Sequence, residues 1–508
     1  MDKSYLIYGN VVKNIKAVDI VKNTAVVLFT DNKIAKHDFK PFLWTTDFID
    51  DMKTRFKHHE CEELQGSNEY NRLIHFNTKS EYFNAQQLFL HLKVPFLKVN
   101  DMSQQFMIQK GYTLFKGITL SDLRTLYFDI ETLKGVSLDD NEIACISVKC
   151  GDFETVIDGT QEEIIDKFVA TIKEQDPDII GTYNGESFDW VVIYNIAHKL
   201  RKPLKIGRYN TPLYKYRTTV KLNETQTVFI EKFGALGRHI IDFYYLTKRF
   251  NVIRRIFDSY GLKDVVKTLG MTRDDRTMVD TTKLSELWAN PVTREQVKDY
   301  CLDDSRDLEI LSKLLLPTEF YQAQMLPISF EKLCISGTAN KLNSIFYRYY
   351  YKHKHSIPMP NLDDKRDYQG GLVGNWCKGV YRDVCKVDIG SMYPSIILLN
   401  KIKPPKDYLD VFLKTLTILT EKRLSLKNRM KAFTGNKKEI ADGIQGAYKV
   451  IINSSYGILA SNASPFAYPK GAEKVTEEGR AIITAMKTAL DSSGLNVLSL
   501  DTDGIFVS

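Results

Sequence analysis

Three apolar, strand-like runs in this sequence end on aspartate, and that placement constrains the fold more than any other feature: Leu126-Tyr127-Phe128-Asp129, Val387-Asp388 and Val497-Leu498-Ser499-Leu500-Asp501. A carboxylate that closes a strand must find water, a cation or a ligand, because an unpaired buried charge is costly. The runs are far apart in a chain of 508 residues, too long for one hydrophobic core. At roughly 100–200 residues per domain, about three to five domains are expected.

The chain divides accordingly. Residues 1–120 alternate short β-type runs such as Thr24–Phe29 with turn signals such as Asp31-Asn32, and carry one helical pattern near Glu81–Leu92. Residues 121–325 repeat strand, turn and helix, the pattern of an α/β layer. Residues 326–406 begin with a helical, aromatic and basic stretch that runs from about Leu326-Pro327, includes Tyr347–Lys352 and leads into a connector at Pro358-Met359-Pro360. Residues 407–468 draw as two long helices, Leu409–Ala432 and Ile440–Ala460, around the breaker Thr434-Gly435-Asn436. Residues 469–508 end in two apolar strands. The expected class is multidomain α/β and α+β.

Composition narrows the class of function. With 43% hydrophobic and 11% aromatic residues, several packed cores are available and disorder is not expected. The net charge of +7 selects no partner by itself. Its clustering says more: Lys414, Lys422, Arg423, Lys427, Arg429, Lys431, Lys437 and Lys438 share one acid-poor stretch suited to a polyanion. The seven cysteines are odd in number and form no CxxC pair, which supports neither a disulfide framework nor a zinc site. No apolar run reaches about 18 residues and no signal-like core follows Met1, so a cytoplasmic protein without membrane contact is expected.

Two sets of acids carry the chemistry. In the first, Asp129 and Glu131 project to one side of a strand. Asp189 follows the Asn184-Gly185 turn at a helix start, and Tyr300 and Asp304 share a helix face at i, i+4. Taken singly, these read equally as solvated acids or an ordinary helix cap. In the second, Asp388 ends a strand before the turn Ile389-Gly390-Ser391 and an apolar helix, while Asp501 and Asp503 sit in a turn between two apolar strands. Lys449, Asn453 and Gly457 recur at i+4 on one helical face, as do Arg423 and Lys427, for which a solvated basic face is the alternative. Paired hard oxygen ligands suit Mg²⁺ or Mn²⁺.

In this order the segments resemble the motifs of family B, replicative-type and phage-like DNA polymerases that carry a 3′→5′ proofreading exonuclease. The resemblance covers about three quarters of the chain, from Asp129 to Asp503. It implies an N-terminal mixed β domain, an RNase H-like exonuclease domain, and a palm with helical fingers. It implies two metal ions on Asp129, Glu131, Asp189 and Asp304, with Tyr300 orienting the attacking water and Asp242 structural, and two more on Asp388, Asp501 and Asp503. Backbone amides near Ser391 and Met392 would hold the triphosphate of a dNTP, Tyr393 would exclude a 2′-hydroxyl, and Arg423, Lys427 and Lys449 would bind phosphate. Asn453 and Tyr456 would lie near the nascent base pair, and Tyr368, Gly370 and Gly371 beside the template strand of primer-template DNA. The family has Tyr before the last acidic turn and Ser after it, where this chain has Ser499 and Gly504, so a small loss of positioning is expected there.

The resemblance leaves the thumb and the rest of the palm beyond Ser508. A second polypeptide is therefore expected to supply them by pairing with Ile505-Phe506-Val507 as an exposed sheet edge, and a sliding clamp would act through that part. A truncated reading frame is the competing account. If the chain is phage-encoded, the host cytoplasm is its place of action. Two further readings compete: an exonuclease with an inert palm, and a nucleic-acid-binding scaffold. The scaffold leaves eight acids unexplained, Asp129, Glu131, Asp189, Asp304, Asp388, Asp501 and Asp503 with Asp303 as an extra.

Overall fold

The computed structural model describes residues 3–47, 55–56, 59–133, 141–221, 227–362 and 368–508. Near the N-terminus the short β-type runs form two small sheets. Ile15–Val21, Thr24–Phe29 and Ile34–Asp38 make an antiparallel meander. Glu60–Glu63, Arg72–His75, Phe42–Thr45 and Phe96–Leu97 follow in that order in the second sheet. The helix expected near Glu81–Leu92 runs Lys79–His91, and it starts where Thr78 and Glu81 cap each other's backbone N–H reciprocally. Phe76, Tyr82 and Phe89 join it to the second sheet.

The α/β segment builds a five-stranded sheet in the order Phe153–Ile157, Ile143–Cys150, Thr125–Thr132, Ile179–Thr182, His239–Asp242. The first three strands are antiparallel, and the last two run parallel to their inner neighbours. Parallel pairing needs a crossover. The helix Gln161–Gln175 provides one into Ile179–Thr182. All four residues of Ile179–Thr182 are buried, as a strand covered on both faces requires. Phe128 meets Phe168 and Trp190 edge to face in this core.

One long helix, Pro291–Ala323, lies on this sheet and reaches the helical hairpin Val411–Met430 and Gly435–Ala460. It begins with proline at its first turn, after Asn290, whose side chain accepts from Val292 N. Glycines allow the hairpin to approach it: a Cβ at Gly443 would stand 2.7 Å from the Tyr321 ring, and one at Gly446 2.9 Å from the Thr318 hydroxyl. The break in the hairpin falls earlier than expected. Gly435 and Asn436 belong to the second helix, whose cap is the extended Thr434. Gly435 has φ +52°, a left-handed conformation that glycine adopts without strain, so its breaker signal marks the start of the second helix.

The C-terminal sheet has four antiparallel strands in the order Val373–Asn375, Val497–Asp501, Gly504–Val507, Cys385–Asp388. This corrects the expected exposed edge at Ile505-Phe506-Val507. That strand pairs on both sides, because Cys385–Asp388 returns from far upstream to fill its second ladder. The edges are Val373–Asn375 and Cys385–Asp388. Ile483 of the helix Pro469–Ser492 packs with Val497, Leu500, Ile505 and Val507 beneath the sheet. No helix among the described residues is long and apolar enough to cross a membrane.

Candidate active sites

The first set of acids converges where the five-stranded sheet meets the long helix. Asp129 and Glu131 come from the strand Thr125–Thr132. Asp189 opens the helix Asp189–Lys199, and its Oδ1 accepts from Ile130 N at 3.2 Å, which ties that carboxylate to the strand between the other two. Tyr300, Cys301 and Asp304 come from the long helix. Donor atoms of Asp129, Glu131 and Cys301 all lie within 4.8 Å of one another.

Crowding and burial leave these acids reluctant to ionise together. Burial, then the charges of Asp189, Asp304 and Glu131, hold Asp129 well above the usual carboxylate range. Burial and Asp304 push Glu131 up to about 8. Asp189 stands at about 7, raised chiefly by burial. Asp129, Glu131 and Asp189 make no ion pair among the described residues, so ionising them together would leave negative charge with no paired cation. This donor set fits a divalent cation, which would neutralise it.

Asp304 is different, since cations already hold it. Arg276 bridges Asp304 and Asp307, and Lys263 Nζ lies 3.4 Å from Asp304 Oδ2 and 4.1 Å from the centre of the Tyr300 ring. Lys263 also bonds the Tyr300 hydroxyl. Asp303, expected as an extra acid of the site, is instead engaged by Thr277 N, Arg273 and Arg306. It belongs to an ion-pair network and has no oxygen to spare. Asp242 accepts from the backbone of Asn184, Glu186 and Tyr244 at 2.8, 3.2 and 3.0 Å, thereby holding the turn that delivers Asp189.

The second set lies on the C-terminal sheet. Asp388 stands opposite Gly504, the residue after Asp503, and Ile389 N donates to Asp503 O at 2.8 Å. The turn is tight: Thr502 has φ +55°, and Asp503 N approaches Asp501 O at 2.6 Å. Burial raises Asp503, as do the charges of Asp388 and Asp501, while Lys386 opposes them. Lys386 Nζ pairs with Asp388 Oδ1 at 3.0 Å. Three carboxylates thus gather around one lysine, although among the described residues only the donors of Asp129, Glu131 and Cys301 stand close enough together to share one ion as placed.

Around these acids the other expected segments meet. Ser391, in the left-handed region at φ 56°, caps the helix Met392–Leu399, and its hydroxyl accepts from Arg423 at 3.3 Å. Tyr393 and Tyr456 have ring centres 4.9 Å apart, and the Tyr456 hydroxyl is 3.2 Å from that of Tyr368. Gly371 is needed where it is, because a Cβ there would stand 2.8 Å from Thr502. A Cβ at Gly370 would meet nothing within 4 Å, and the Gly370 carbonyl accepts from Arg480. Lys427, Lys449 and Asn453 are exposed on the helical hairpin, and neither lysine makes an ion pair among the described residues. Met392 is buried.

Sequence reasoning missed Cys301, Lys263, Arg276 and Lys386. Lys386 had a signal, since it lies two residues before Asp388 and so on the same strand face. Arg276 had none, because it arrives from an irregular segment.

Residues 156–265 match the family described as DNA polymerase family B, exonuclease domain, and residues 409–504 match DNA polymerase family B. The "DNA polymerase 1" of Pyrococcus abyssi is 28% identical over 460 residues, 82% of this chain and 56% of that protein. The "DNA polymerase" of Archaeoglobus fulgidus is 27% identical over 412 residues, covering 76% of this chain and 50% of its own. The chain thus spans about half the length of these relatives. The fold is similar to that of the family B DNA polymerase of the archaeon Pyrobaculum calidifontis, with a TM-score of 0.77 and 20% identity over 97% of this chain and 74% of that one.

Proposed function

We propose that this chain, a member of DNA polymerase family B, extends a primer with dNTPs at Asp388, Asp501 and Asp503 and removes 3′-terminal nucleotides at Asp129, Glu131, Asp189 and Asp304. The observation that carries the reading is the convergence of residues remote in sequence onto two separate acid clusters, one on each sheet. The 3-2-1-4-5 strand order of the five-stranded sheet supports an RNase H-like nuclease unit within residues 121–325. The sheet that joins residues 373–388 to residues 497–507 supports a palm made of 326–406 and 469–508, with the hairpin of 407–468 as fingers and 1–120 as an N-terminal domain.

Paired Mg²⁺ or Mn²⁺ ions would supply Lewis-acid stabilisation of the oxygens that enter and leave at phosphorus. The chain's own residues do the rest. In the palm, Asp388, Asp501 and Asp503 would hold the ions, and the turn at Ser391 and Met392 offers backbone N–H groups to the triphosphate. Arg423, Lys427 and Lys449 neutralise that triphosphate, Tyr393 closes the space a 2′-hydroxyl would need, and Asn453 and Tyr456 bound the new base pair. Tyr368, Gly370 and Gly371 lie beside the template. In the nuclease unit, Tyr300 orients the attacking water beside Asp304.

A protein surface that covers the palm sheet is part of this proposal, with one support: Val373, Val380, Val384 and Val387 are exposed apolar residues on and beside its edge strands.

A 5′-labelled primer annealed to a longer template tests the reading. Asp501→Ala with Asp503→Ala is expected to abolish extension and spare degradation, and Asp129→Ala with Asp189→Ala to do the reverse. Loss of both activities in either pair, or of neither, would overturn it. Degradation with no extension by the unaltered chain would leave only the exonuclease.

A further inference from the structure

The long helix presents Tyr300, Asp304 and Asp307 along one side at i, i+4 and i+7. The irregular segment that follows the helix Leu262–Thr268 folds back over this side and delivers Arg276. Its guanidinium is almost fully enclosed and divides its fork between two carboxylates, Nη2 on Asp304 Oδ1 and Nη1 on Asp307 Oδ2. Its Nε has no hydrogen-bond partner. An arginine fork is most stable on a single carboxylate, so an arginine shared between two has two seats of similar quality.

The sharing has a consequence for Asp304. One of its oxygens is taken by Arg276 and the other faces Lys263 at 3.4 Å. Asp304, like Asp189, is not among the three donors that lie within 4.8 Å of one another, although its charge reaches Asp129 and Glu131. Asp307 has a second cation, Arg273 Nε at 3.7 Å, which Asp303 in turn anchors. Asp307 therefore stays compensated whichever way Arg276 moves.

We propose that Arg276 is a positioning residue that latches Asp304 and competes with a divalent cation for it. Arg276 withdraws onto Asp307 when Asp304 turns to ligate. This deepens the exonuclease reading and rests on it. The latch lowers the nuclease site's affinity for its cation while balancing the charge of Asp304 when the cation is absent. Arg276 acts through Asp304, with no contact to the reacting atoms.

The test measures Mn²⁺ binding by electron paramagnetic resonance in the full chain carrying Asp388→Ala, Asp501→Ala and Asp503→Ala, so that the nuclease cluster is the remaining site. Arg276→Gln is expected to tighten Mn²⁺ binding several-fold, and Arg276→Lys to stay near the parent. Asp307→Asn, which removes the second seat, is expected to weaken binding. Unchanged or weaker binding in Arg276→Gln, with a melting temperature near the parent's, would overturn the latch, as would tighter binding in Asp307→Asn. Should Arg276→Gln fold poorly, Asp307→Asn alone decides by its direction. If Asp129→Ala leaves Mn²⁺ binding as it was, the metal reading of the site fails, and the latch with it.

Discussion

Lys386 reaches Asp388 only because residue 504 is glycine. The two strands that carry them pair side by side, and a Cβ at Gly504 would stand 2.6 Å from Lys386 Cε and 2.9 Å from Asp388 Oδ1. The departure from the family pattern at this position was expected to loosen the site. The geometry gives it another sense: it makes room for a lysine that aims the carboxylate.

Gly504→Ser is therefore expected to lower primer extension several-fold without touching exonuclease activity. The atoms it meets are the free ends of exposed side chains, so the change in stability should stay within about 0.5 kcal/mol. Adding Lys386→Ala should restore part of the lost rate, and a double-mutant cycle on extension checks the coupling. Full additivity would contradict the assignment.

What the sequence showed and hid follows one physical division. The strand, turn and helix face that carry each candidate carboxylate were legible, because they depend on local order. The helices Lys79–His91, Val411–Met430 and Gly435–Ala460 were legible for the same reason, through periodicity and caps. Partners that arrive from a distance were not. The return of Cys385–Asp388 to cover Gly504–Val507, and the approach of Arg276 to Asp304, are long-range pairings with no local signature. Asp303 was misread because its helix face alone could not reveal the two arginines that hold it.

The contact between the long helix and the helical hairpin depends on Gly443. A valine there meets the Tyr321 ring and Pro317, both fixed in the facing helix. Overpacking of this kind costs about 1–3 kcal/mol. Gly443→Val should lower the urea midpoint accordingly, and an unchanged midpoint would show that the helices part easily. Lys449 and Asn453, proposed above to face the dNTP, lie on the same helix, so a rise in the KM for dNTP is expected to accompany the loss.

Stability should depend on pH through Asp19. Burial pushes this carboxyl up to about 7 against an ordinary 3.8, although Gly237 N donates to it at 2.8 Å. Its folded-state value is the raised one, so the folded chain holds the proton more tightly than the unfolded chain. The stability this provides is complete below the unfolded value and is lost as pH climbs to the folded one, between about 4 and 7. Asp189 and Glu131 add slope of the same sign, so Asp19→Asn should lessen the fall without abolishing it, as read from urea midpoints at about pH 5 and pH 8. An equal slope in parent and variant would remove Asp19 as the cause.

The existence of two separate cation centres is open to direct mapping. Fe²⁺ placed in divalent-cation sites cleaves the nearby backbone when ascorbate and peroxide are added, and mass spectrometry locates the cuts. Cuts are expected in two groups, one near Asp129, Asp189 and Asp304 and one near Asp388 and Asp501–Asp503, each abolished by alanine in its own cluster alone. A single group of cuts, or two groups that vanish together, would contradict the two-centre arrangement.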